Sequence, residues 1–103
     1  MEFVDVCARA ELAAGTALAC RVRGRDVALF DVEGAVHAIE NACLHGGSAL
    51  AGGKVCGHFV SCPAHGLRFD VTTGALAGSQ GKAGVPSFPV KVVDGRVLVG
   101  LAA

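Results

Sequence analysis

The sequence predicts an all-β domain. Three observations carry this reading. Short apolar runs of five to seven residues recur along the chain, turn signals separate them, and no stretch sustains ten residues of helical periodicity. With 103 residues the chain has the length of one domain, 1–103, and no linker composition interrupts it. Such a pattern suits a small sandwich or barrel.

Taken in order, "AELAAGTALA" at 10–19 is alanine-rich, but Gly15 and Thr16 break it, so it reads as a turn between strands. "VALFDV" at 27–32 and "AVHAIE" at 35–40 flank Glu33-Gly34 as a hairpin. "HFVSC" at 58–62 and "LRFDV" at 67–71 flank "PAHG", and Thr73-Gly74 turns the chain again. "AGSQGKAGVP" at 77–86 is a polar, glycine-rich loop. It lacks the Lys-Ser/Thr ending of a phosphate loop, and no helix follows it. "FPVKVVD" at 88–94 and "RVLVGLA" at 96–102 flank Asp94-Gly95, a strong two-residue hairpin signal.

Composition narrows the function. Apolar residues make up 52% of the chain and charged residues 17%, with nine Lys and Arg against nine Asp and Glu. Zero net charge argues against nucleic acid, whose phosphates demand a basic surplus, and against a polybasic membrane contact. No apolar run approaches the ~18 residues of a membrane span. "MEFVDVCARAELAAG" has no basic n-region and does not read as a secretory signal, so a cytoplasmic location is expected. There thiols stay reduced, and five cysteines cannot all pair. Cysteine close to histidine then points to metal.

Two such stretches exist. "ACLHGGSAL" at 42–50 sets Cys43 two positions before His45, and "SCPAHG" at 61–66 sets Cys62 three before His65. Sixteen residues separate the two pairs. Each stretch lies between strands, where a loop tip can present both side chains, and two tips brought together make one four-ligand site. Gly46, Gly47 and Gly66 follow the histidines and permit tight turns. Two thiolates and two imidazoles suit zinc, and they also suit a mixed-ligand [2Fe–2S] cluster. The order Cys-His, Cys-His fits the cluster, because each loop then gives one ligand to each iron.

"CLHGG" and "CPAHGLRFDVTTG" at this spacing resemble the Rieske motif, and "RDVALFDVEGAVHAIENAC" and "FPVKVVDGRVLV" resemble the flanks of a Rieske ferredoxin. The resemblance runs from about Val22 to Val99. It implies a β-sandwich base carrying a small cluster-binding subdomain, at about 41–70, with one [2Fe–2S] cluster per chain. It further implies that Cys43 and Cys62 hold the inner iron while His45 and His65 hold the outer one. Rieske proteins of respiratory complexes add a disulfide between the ligand loops and hydrogen-bond donors near the cluster sulfurs. The matching positions here are Ser48 and Ala64, and Leu67 and Phe69, so neither device is available. Fewer donors imply a potential near the low end of the Rieske range, roughly −150 mV. Leu44 stands where proline is common.

The resemblance therefore implies a soluble, monomeric one-electron carrier and not an enzyme in its own right. Its partners would be a flavin-dependent ferredoxin reductase and a terminal oxygenase that attacks an aromatic ring. The small Rieske subunit of an assimilatory nitrite reductase and a structural zinc module are the alternatives. Leu44, Gly46, Gly47, Pro63, Ala64 and Leu67 would ring the histidines with mostly apolar surface. Outside the motif, Cys7, Cys20 and Cys56 read as core or strand packing, His37 as solvent-facing, and His58 as a strand residue. Arg68 and Asp70 read either as exposed strand positions or as a pair bracing the second loop.

Overall fold

The computed structural model describes residues 1–43, 47–64 and 66–102. Among the described residues the chain forms ten strands: β1 (Glu2–Ala8), β2 (Ala17–Val22), β3 (Arg25–Val32), β4 (Ala35–Glu40), β5 (Lys54–Cys56), β6 (Phe59–Ser61), β7 (Arg68–Asp70), β8 (Ser87–Phe88), β9 (Val90–Val93) and β10 (Arg96–Leu101). Helix among the described residues is limited to two 3₁₀ turns, Arg9–Glu11 and Leu50–Gly52. Among the described residues no helix is long and apolar enough to cross a membrane.

The strands form three antiparallel sheets, ordered β1-β10-β9, β2-β3-β4-β8 and β5-β6-β7. β3 explains how they stack. Its "RDVALFDV" run is apolar on both faces, as a strand in a middle layer must be. Val27 and Leu29 pack with Val97, Val99 and Leu101 of the first sheet. Ala28 and Phe30, pointing the other way, pack with Val60 and Phe69 of the third sheet and with Cys43 and Cys62. The second sheet thus divides two apolar clusters: one seals the sandwich, the other carries both motif cysteines.

The expected hairpins form. Glu33-Gly34 and Asp94-Gly95 take positive φ at both central residues, the twist that two-residue turns need, and close Val32 onto Ala35 and Val93 onto Arg96. Arg23-Gly24 does the same between β2 and β3, a hairpin not read from the sequence. The stretch at 10–19 holds a turn as expected, but its last residues, Ala17 to Ala19, already belong to β2. "FPVKVVD" is not one strand. Phe88 pairs with Ala38 in the second sheet, and Val90 pairs with Val99 in the first. Pro89 stands at the crossing, where a residue without an N–H costs no ladder bond, and its carbonyl accepts from Gly100 N–H at 2.8 Å. His58 lies in the turn between β5 and β6 instead of in a strand, because the short hairpin needs both Gly57 and His58 to reverse.

Arg9 ties the first 3₁₀ turn to the β3–β4 hairpin. Its guanidinium pairs with buried Asp31 and donates to Leu12 O at 2.9 Å. The hydrogen bond from Arg9 to Asp31 holds the Asp31 carboxyl below the usual carboxylate range, against the opposing effect of burial.

Candidate metal centre

The two motif cysteines sit at the base of loops with one backbone design. In the first, Cys43 N–H donates to Ser48 O at 2.8 Å and Gly47 N–H donates back to Cys43 O at 3.0 Å. In the second, Cys62 N–H donates to Leu67 O at 2.6 Å and Gly66 N–H donates back to Cys62 O at 2.9 Å. Both loops therefore span six residues and close at the same two positions, although the histidine falls one place later in the second. The closing residue is left-handed in each, with φ of 76° at Gly47 and 72° at Gly66, which is why glycine is required there.

Each loop is anchored from below. The second is the hairpin loop between β6 and β7, where Ser61 opposes Arg68 and Val60 opposes Phe69. The first is held at both ends: Asn41 N–H donates to Asp26 O at 2.9 Å, and Asn41 Oδ1 accepts Ala51 N–H at 2.7 Å. Leu50, fully buried, plugs the space beneath, and Gly53 brings the chain hard against β6.

Both motif cysteines reach the same apolar cluster. Cys43 is 3% exposed and Cys62 2%, and both lie in the cluster of Phe30, Leu50, Val60 and Phe69. A thiolate in apolar surroundings is costly without a neighbouring positive centre. Two soft thiolate donors on matched loops, buried in one apolar cluster, fit iron in a sulfide-bridged cluster. His45 and His65, the other two predicted ligands, lie outside the described residues, as do Leu44 and Gly46. Of the apolar ring expected around them, Gly47, Pro63 and Ala64 are exposed and Leu67 half-buried.

The remaining candidates separate. Cys7 is core, and burial raises its thiol pKa. Cys20 is half-buried, and burial pushes its thiol up to about 11. Cys56, in contrast to the packing expected, is exposed at the end of β5. His37 is half-buried on β4 instead of facing solvent. Arg68 and Asp70 do not pair with each other. Asp70 Oδ1 accepts from Thr72 N–H at 2.9 Å and Thr72 Oγ1 at 2.6 Å, and His58 Nδ1 lies 3.1 Å away. Burial raises the Asp70 pKa, but these bonds outweigh it and the carboxyl ends below its usual value. Arg68 lies over the Phe59 ring, 5.6 Å from its centroid. Sequence reasoning missed Asn41 and Gly53 as supports; the Gly52-Gly53 pair was the one available signal.

Comparison with known proteins places this arrangement. Residues 2–89 match the Rieske [2Fe-2S] domain. The ferredoxin component of a naphthalene 1,2-dioxygenase system from Pseudomonas aeruginosa is 34% identical over 101 residues, covering 98% of this chain and 97% of that one. A solved complex of reduced oxygenase and oxidized ferredoxin in carbazole 1,9a-dioxygenase contains a chain that superposes with a TM-score of 0.84 at 34% identity, over 94% of this chain and 91% of that one. A putative NADH-dependent nitrite reductase small subunit from Mycobacterium tuberculosis superposes with a TM-score of 0.89 at 26% identity, over 99% of this chain and 96% of that one. With its two matched cysteine loops and these relatives, the chain belongs to the Rieske [2Fe–2S] family, among the ferredoxin components of dioxygenase systems, which are electron-transfer proteins and not the catalysts they serve.

Proposed function

We propose that this chain is a cytoplasmic, monomeric one-electron shuttle that takes an electron from a flavin-dependent reductase and passes it to a terminal oxygenase acting on an aromatic ring. The observation that carries the reading is the pair of six-residue loops that bury Cys43 and Cys62 in one apolar cluster. When bound, the [2Fe–2S] group supplies a one-electron couple. Cys43 and Cys62 would hold one iron through thiolates, and His45 and His65 would hold the other through imidazole nitrogens. Residues of about 41–70, comprising both loops and the β5–β7 sheet, make up the part that holds the group. Leu50, Val60, Phe69 and Phe30 keep water from the cysteine side. Gly47, Pro63 and Ala64 offer a smooth exposed rim, suited to brief, weak docking. A second reading, the small subunit of a nitrite reductase, draws on the Mycobacterium tuberculosis structure. It predicts a stable complex with a large subunit, whereas a shuttle purifies alone.

The test is assembly. The purified protein should carry two irons and two sulfides per chain and give a rhombic paramagnetic signal of low average g when reduced. Cys43→Ser and Cys62→Ser should each abolish the iron, while Cys7→Ser, Cys20→Ser and Cys56→Ser retain it. A colourless protein with one zinc, or loss of iron on changing Cys56 but not Cys43, would overturn the assignment.

A further inference from the structure

The zero net charge of this chain conceals an uneven distribution. Every arginine except Arg68 pairs with a carboxylate: Arg9 with Asp31, Arg21 with Asp26, Arg23 with Glu2, Arg25 with Glu40 and Arg96 with Asp5. All those carboxylates lie before residue 41. Residues 41–88, which contain both cysteine loops, hold three cations (Lys54, Arg68 and Lys82) and one carboxylate, Asp70. Asp70 is already engaged by Thr72 and His58. Among the described residues, Lys54, Arg68 and Lys82 have no ion-pair partner.

The register of the third sheet aligns two of these cations. Lys54 opposes Ser61, and Ser61 opposes Arg68, so the three side chains form one row across β5, β6 and β7 on one face. The adjacent row, Val55, Val60 and Phe69, faces the core, with Val60 and Phe69 fully buried. Alternation therefore turns the Lys54–Ser61–Arg68 row to solvent, where Lys54 and Arg68 are both exposed. Two strand spacings set the Cα atoms of Lys54 and Arg68 about 10 Å apart. The row is also the last one before the second cysteine loop: Ser61 precedes Cys62 and Arg68 follows Leu67. Arg68 is steadied over the Phe59 ring, which leaves its charge available outward.

We propose that Lys54 and Arg68 form a cationic docking face beside the second cysteine loop that receives a carboxylate-rich surface of the redox partner. The identity of that partner rests on the electron-carrier reading; the sign of its surface does not. Like charges on the two surfaces would repel, whereas acidic groups around the partner's electron entry are steered to this row. An unpaired charge on a docking rim acts on the association rate and its salt dependence more than on the lifetime of the complex.

Stopped-flow oxidation of the reduced holoprotein reads the local charge directly, one electron leaving the protein per ferricyanide reduced to ferrocyanide or per hexaamminecobalt(III) reduced to the cobalt(II) ion. Between ~10 and ~200 mM salt the ferricyanide rate should fall at least about threefold and the hexaamminecobalt(III) rate should rise. Lys54→Gln with Arg68→Gln should flatten both slopes, and Lys91→Gln, on the first sheet, should keep them. Binding of dye-labelled poly-L-glutamate at low salt supplies a second reading that needs no cluster. The double variant should lose at least about fivefold in affinity, and Lys91→Gln should not. Salt slopes and poly-glutamate affinity unchanged by the double variant, or changed as much by Lys91→Gln, would overturn the proposal. Should the chain assemble no cluster, the electron-carrier reading fails, and the poly-glutamate arm still decides the face.

Discussion

Gly53 gives a direct measure of how tightly the loop supports are built. It follows the 3₁₀ turn Leu50–Gly52, and its N–H donates to Leu50 O at 2.9 Å. Its backbone is extended, φ −84° and ψ 168°, a conformation open to any residue. Glycine is needed for a different reason. A Cβ at this position would stand 1.9 Å from Ser61 O, 3.0 Å from Ser61 C and 3.1 Å from Val60 Cγ2. A carbon needs about 3.3 Å from a carbonyl oxygen, so Gly53→Ala demands a shift of more than about 1 Å. Neither side yields easily, because Leu50 and Val60 are both fully buried. The displaced backbone is that of Ser61, the residue before Cys62. The cost lies at the upper end of overpacking, about 3 kcal/mol. For a domain of this size that lowers the melting temperature by roughly 15 °C. The variant should also purify with less iron, because the second loop starts where the strain is released. Gly52→Ala is the internal control: nothing lies within 4 Å of its Cβ, and it should stay within about 0.5 kcal/mol of the parent. Thermal unfolding by circular dichroism with iron and sulfide analysis decides the matter. If Gly53→Ala melts and binds iron like Gly52→Ala, the close approach to β6 does not exist.

Two other perturbations test the site and its frame. Leu67→Ser should raise the reduction potential, since Leu67 is half-buried against the cluster of residues that holds both cysteines and supplies no side-chain donor. One net hydrogen bond of about 1 kcal/mol, at ~59 mV per tenfold for one electron, comes to about 40 mV; film voltammetry showing an unchanged or lower value would mean that position 67 does not reach the sulfurs. Arg9→Gln should destabilise the protein at pH 7 by stranding the buried Asp31 carboxylate. Because Arg9 depresses the folded pKa of Asp31, that stabilisation is present above the unfolded value near 3.8 and is lost as pH falls through the lower folded value. The stability gap between parent and variant, read from urea unfolding, should therefore be wide at pH 7 and narrow progressively as pH falls below 3.8; a gap independent of pH would assign it to packing alone.

The features legible in the sequence are those that depend on neighbours in the chain. Glu33-Gly34 and Asp94-Gly95 announce their turns because backbone twist there is a two-residue matter. The Cys-x-His and Cys-x-x-His spacing that motivates the proposed metal centre is likewise local, and the glycines that close the two cysteine loops at 47 and 66 stand beside it. What depends on which strand lies beside which was decided by tertiary structure. Pro89 splits an apparently continuous strand because Phe88 and Val90 pair in different sheets. β3 is buried on both faces because a third sheet covers the side that a two-sheet sandwich would leave open. Gly53 is obligatory because Ser61 O, eight residues on, comes to rest where its Cβ would be. Lys54 and Arg68, fourteen positions apart, share one face because each pairs with Ser61 from opposite sides. Register is a choice among pairings that local sequence leaves nearly equal in energy, and burial of the Val55, Val60 and Phe69 row decides it here, since a one-residue slip would turn that row to water.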